Sequence, residues 1–145
     1  MTDIAREEIG DGESVSRITY ADAYDDDGHL MWLGGKLFEF PTEYKRCDSL
    51  VWRKYAATLE EVHRIGCNGK RSSDYRGFIS ANVGKLREVE TASKHRFEVN
   101  HEPNEGQHHA EICVRPIDKL SPSKKADIRT WLSRLFSAPE YHLCE

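Results

Sequence analysis

No run of apolar residues in this chain approaches the roughly 18 that a membrane-crossing helix requires. The first residues are acidic and lack the basic-then-apolar plan of a signal peptide, so the expected location is the cytoplasm and no membrane contact is expected. The four cysteines, Cys47, Cys67, Cys113 and Cys144, form no CxxC pair. Without secretion their expected state is four reduced thiols, which argues against a cysteine-rich metal centre. There is no GxxxxGK[ST] phosphate loop and no GxSxG elbow, which removes the two commonest sequence signals for nucleotide binding and serine hydrolysis. Internal repeats and low-complexity linkers are also missing. No cofactor is expected, and a metal ligand set is not defined.

What is present suits one folded unit. The chain has 145 residues, of which 38% are hydrophobic and 32% charged. Fourteen aromatic residues supply apolar area that a disordered chain would lack. Charge is unevenly spread. Residues 1–30 carry nine acids against Arg6 and Arg17, a net of −7, leaving +3 for the rest of a chain whose total is −4. Residues 1–13 read as an acidic, loosely ordered leader, and 14–145 as a single domain.

Alternation in "SVSRITY" (14–20) predicts a first strand. "DDDG" (25–28) is a turn signal; aligned as a calcium loop on Gly28, it places Ala23 and Gly34 where acidic ligands belong. "HLMWLGGKLFEF" (29–40) reads as a hairpin or a kinked strand about Gly34-Gly35, and "SLVWRKY" (49–55) as another strand. Thr58 and Glu61 have capping-box spacing, predicting a short helix over 59–65 that Gly66 ends in a left-handed conformation. "YRGFISANV" (75–83) reads as a strand, and "GKLREVETASK" as either a helical turn or a loop. Ser121 before Pro122 is an N-cap followed by proline at the first helical position. Ile128, Trp131, Leu132, Leu135 and Phe136 then recur at the spacing of one helix face, predicting an amphipathic helix over 122–136. The expected fold is therefore α+β: a mostly antiparallel sheet, a short middle helix, and a C-terminal amphipathic helix packed on the sheet.

"HRFEVNH" and "HHAEICV" (95–101 and 108–114) read as a hairpin. Pairing His101 with His108 also pairs Val99 with Ala110 and Phe97 with Ile112, which puts every apolar residue on one face. Two imidazoles so opposed suit a shared metal or acid–base work, with His63, His29 or His142 as a third ligand. His109 and Glu111 point the other way and read as a solvated face. Arg17 in the first strand, if turned inward, is an anion anchor. Lys70, Arg71 and Arg76 form one basic cluster beside Tyr75; Lys124, Lys125 and Arg129 form another on the last helix.

Three functional readings follow. The first is a small cytosolic binding or accessory module acting through protein contacts, with a partner protein or a second copy. The second is a small hydrolase or nuclease-like effector using His101 and His108, with Arg17 or Arg76 as anion clamp. The third is a nucleic-acid binder using the basic clusters, against which the sequence pI near 6.0 weighs.

Overall fold

Five strands form one antiparallel sheet in the order β3-β1-β2-β5-β4. They are β1 (Ser14–Tyr20), β2 (Cys47–Trp52), β3 (Tyr75–Asn82), β4 (Arg96–His101) and β5 (His109–Arg115), with helices α1 (Leu59–Asn68), α2 (Val83–Glu88) and α3 (Pro122–Leu135). The computed structural model describes residues 4–33, 36–41, 45–140 and Cys144. The α+β class, the antiparallel sheet and the C-terminal helix packed on it agree with the sequence reading. No described helix is long and apolar enough to cross a membrane.

The sheet separates two clusters. On one face Val15, Leu50, Trp52, Ile79, Val99, Ile112 and Val114 pack against Leu86 of α2 and Ile128 and Leu132 of α3. On the other, Ile18, Val51 and Phe78 meet Val62 of α1. The α3 start follows the capping logic: Ser121 accepts the Lys124 N–H, and Pro122 occupies the first turn.

Several elements depart from the sequence reading. Residues 37–40 form no strand. Leu37, Phe38 and Phe40 instead enter the large core, where the Phe38 and Phe136 rings are 5.2 Å apart. The turn expected at Gly34-Gly35 lies outside the described residues. The acidic leader is docked over residues 4–13: Ile9 is buried, Arg87 donates to the Ile9 carbonyl at 2.6 Å, and Glu7 binds Lys54 at 2.7 Å. The four cysteines are paired as Cys47–Cys113 and Cys67–Cys144. The reason is register: β2 places Cys47 opposite Cys113 of β5, a proximity that 66 residues of separation conceal.

Gly66 does not end α1. Thr58 caps the helix as expected, accepting the Glu61 N–H at 3.1 Å, but the helix runs on to Asn68. Gly66 is there because the buried Tyr75 ring lies against its backbone; a Cβ at this position would sit 2.2 Å from Tyr75 Cε1. Gly66→Ala gains about 1 kcal/mol of helix propensity. Overpacking against a fully buried ring costs about 1–3 kcal/mol, and so close an approach falls at the upper end. A net loss of stability in urea unfolding is expected. A more stable variant would show that the ring does not hold that position.

Candidate functional site

The sheet forks. β1 and β2 share a ladder at only two pairs, Val15↔Trp52 and Ser16↔Val51. Beyond them β1 stays with β3 and β2 stays with β5, so Arg17–Tyr20 and Cys47–Leu50 diverge. A cavity of about 210 Å³ lies at this fork, bordered by Arg17, Ser49, Glu105, His108 and His109, with Ile18, Val51 and Ile65 as apolar wall. A second cavity of about 420 Å³ shares Arg17 and Ser49 and adds Lys36, Asp48, Arg71 and Glu111. A third, of about 470 Å³, shares His108 and Glu105 on the α1 side.

The hairpin that supplies the histidines is registered two residues away from the sequence reading. His101 pairs with Ala110, Val99 with Ile112 and Phe97 with Val114. The face assignment survives because a shift of two preserves it. The opposition of His101 and His108 does not survive. The loop holds a tight helical turn at Pro103–Glu105 and Gly106 at φ 127°, and closes with Glu102 N–H donating to the His109 carbonyl at 3.0 Å. His108 therefore precedes β5.

His101 is withdrawn from any chemistry. It is 2% exposed and set edge-on against the Trp52 ring. Its Nδ1 accepts the Glu7 N–H at 2.9 Å, and its Nε2 donates to the Gln107 carbonyl at 2.8 Å. An imidazole with both nitrogens so engaged has neither a lone pair for a metal nor a free position for proton transfer. This histidine fastens the leader and the loop to the core.

His108 and Arg17 do share a cavity. Burial, then the neighbouring His109, pushes the His108 imidazole below its ordinary pKa, so it is neutral near pH 7. Arg17 is turned inward. It donates to the Ile18 and Leu37 carbonyls at 2.8 and 3.0 Å and lies 3.4 Å from Asp48. Its Nε is buried and makes no hydrogen bond among the described residues. Asp48 is itself perturbed: burial pushes its carboxyl pKa up, and the Arg17 charge offsets this only in part.

The residue pair that the sequence reading passed over is Ser49 with His109. His109 faces Val51 in the β2–β5 ladder, beside Ser49. Its Nδ1 is 2.6 Å from the Glu102 carbonyl, which can only accept, so the proton of the neutral ring resides on Nδ1. Nε2 then presents its lone pair 3.3 Å from Ser49 Oγ, with the Glu105 carboxylate 3.7 Å from the same nitrogen. Ser49 is exposed at the cavity mouth. Alternation in "DSLVW" puts Ser49 and Val51 on one face, but only the long-range β2–β5 register brings His109 to them.

The basic clusters do not combine. Arg71 binds Asp22 at 3.1 Å and Asp74 at 3.6 Å, with its guanidinium 4.0 Å from the Tyr20 ring centroid. Arg76 donates to the Ser73 and Tyr75 carbonyls. Arg129 donates to the Phe38 and Leu33 carbonyls, and Lys124 lies 3.9 Å from Asp118. Lys70, Arg71 and Arg76 flank α1, whereas Lys124, Lys125 and Arg129 sit on α3 across the sheet. For metals, the described residues that come together are Asp25, Asp27 and His29 on an exposed turn, and Cys47, Glu111 and Cys113; His101 and His108 belong to neither group.

Comparison with protein-family models, with curated proteins and with solved structures finds no match to this chain.

Proposed function

We propose that this protein is a small hydrolase acting on an ester that carries an anionic group, with the sheet fork as its active site. The observation that carries the reading is the His109 ring, held by the Glu102 carbonyl in the tautomer that turns an acceptor nitrogen toward Ser49 Oγ at 3.3 Å. In the acylation step His109 Nε2 takes the hydroxyl proton as Ser49 Oγ attacks the ester carbonyl, and the alkoxide leaves with that proton. The imidazolium formed in between lies beside the Glu105 carboxylate, which favours its charge. Water then attacks the acyl-serine with His109 again as base. Arg17, at the wall shared by the fork and the larger cavity, supplies the positive charge that an anionic substrate requires.

A fluorophosphonate probe tests this directly, because it marks an activated serine without knowledge of the substrate. Peptide mass spectrometry is expected to find the adduct on Ser49. Labelling is lost in Ser49→Ala and slowed by about 100-fold or more in His109→Ala, the scale of a general base. Unlabelled Ser49 in the folded protein, under conditions that label a control serine hydrolase, would overturn the proposal.

A second reading, a binding module acting through protein contacts, draws on the outward face of β2, β5 and β4. Ser49, Arg96, Glu98 and Asn100 are exposed there, and His109, Glu111 and Arg115 are half-buried. Failure of the labelling experiment would favour it.

A further inference from the structure

We propose that Cys47–Cys113 is a thiol–disulfide exchange site for an anionic low-molecular-weight thiol. The pair lies at the β2–β5 end of the fork, on the outward face of the sheet; Cys47 also lines the 420 Å³ cavity, and both cysteines border a further one of about 610 Å³. The cavity wall carries Arg6, Lys45 and Arg115 against Glu102 and Glu111, together with the Asn100 and Asn104 amides. Arg6 is paired with Glu102 at 2.8 Å and Arg115 with Glu98 at 3.3 Å, so Lys45 and the amide donors are what the wall offers to a small molecule bearing carboxylates.

The two sulfurs are not equivalent. Cys47 is half-buried whereas Cys113 is 2% exposed, so an incoming thiolate reaches Cys47. Arg115 Nη2 lies 3.9 Å from Cys47 Sγ, and its side chain is held by donation to the Lys45 carbonyl at 2.7 Å. A carboxylate oxygen of Glu111 lies within 4.8 Å of both sulfurs. Burial, then the nearby Glu102, raises the Glu111 pKa above the ordinary carboxyl value.

The exchange balances without further reagents. The thiolate attacks Cys47 Sγ, forming a mixed disulfide and breaking the Cys47–Cys113 bond. The bonding pair leaves on Cys113 Sγ as a thiolate, which takes a proton from water. A second molecule of the thiol attacks the mixed disulfide on its own sulfur. This releases the small-molecule disulfide and leaves both cysteines reduced, a two-electron change overall. Neither Ser49 nor His109 lines the 610 Å³ cavity.

The test exposes the folded full-length chain to glutathione, which is anionic, and to cysteamine, which is cationic, at equal thiolate concentration. Adducts are mapped by peptide mass spectrometry, and near-ultraviolet circular dichroism confirms that the fold persists. The expected result is a mixed disulfide on Cys47, formed roughly tenfold faster with glutathione at low ionic strength, the advantage shrinking as salt is added. The doubly reversed variant Lys45→Glu/Arg115→Glu abolishes the preference. Equal rates for the two thiols, a cysteamine preference, or adducts only after unfolding would overturn the proposal. The wild-type comparison decides even if the reversed variant does not fold.

Discussion

Trp52→Ala is expected to lower the free energy of unfolding by about 3–5 kcal/mol, a large part of what a domain of this size has. The side chain is fully buried and packs edge-on against Tyr55 and His101, with ring centroids 5.2 and 4.9 Å away. Its indole N–H donates to Glu13 Oε1 at 3.1 Å, while the other Glu13 oxygen accepts the Gly10 N–H at 2.6 Å. Truncation thus opens a cavity in the main core and also removes one of the contacts that hold the leader. The Trp52 backbone N–H donates to the His108 carbonyl at 2.7 Å, so movement of this residue carries into the fork. Urea unfolding followed through the remaining tryptophans measures the effect. Trp52→Phe keeps most of the apolar contact and loses the indole hydrogen bond, and is expected to fall between wild type and alanine. A loss under about 1 kcal/mol for alanine would contradict the large-to-small cost of a buried site.

What could be read in the sequence was local. The α3 stripe, its Ser121–Pro122 start and the Thr58 cap are interactions within a few residues, and each is present. The two faces of the β4–β5 hairpin were also legible, because side-chain alternation survives an even shift of register. The pairing itself was not. Phe97 opposite Ile112 and Phe97 opposite Val114 bury equally apolar partners, and the closing bonds at Glu102 and His109 decide between them. Gly66 was misread for a related reason: glycine near a helix end suits a left-handed cap, and only the distant Tyr75 ring explains it within the helix. The site was the least legible part. Ser49 and His109 are separated by 60 residues and meet through strand pairing. Each alone resembles a polar residue on a solvated strand. Arg17 was legible as an oddity because an inward arginine needs partners, and it has the Asp48 carboxylate together with two carbonyls.

The second large effect concerns the disulfide at the opposite end of the sheet. Removing Cys67–Cys144 by Cys67→Ser/Cys144→Ser is expected to cost about 4 kcal/mol, because the bond closes a loop with a sequence separation of 77 and so restricts the unfolded chain strongly. The folded state is affected too. After α3 the chain runs along β3, with Ser137 N–H donating to the Ser80 carbonyl at 2.8 Å and Glu140 exchanging backbone bonds with Phe78 at 3.0 and 3.2 Å. That segment covers a sheet edge whose backbone would otherwise offer a template for another chain. The Cys67–Cys144 bond ties Cys144 covalently to α1. The double variant is therefore expected to combine a lower urea midpoint with concentration-dependent self-association, measured by light scattering under folding conditions. Ser137→Pro/Glu140→Pro with the disulfide intact separates the two contributions. It removes backbone donors from the edge without changing the loop, so it should promote association with a smaller loss of stability. Wild-type stability in the serine double variant would mean that the backbone bonds along β3 hold the C-terminal segment without the covalent tie.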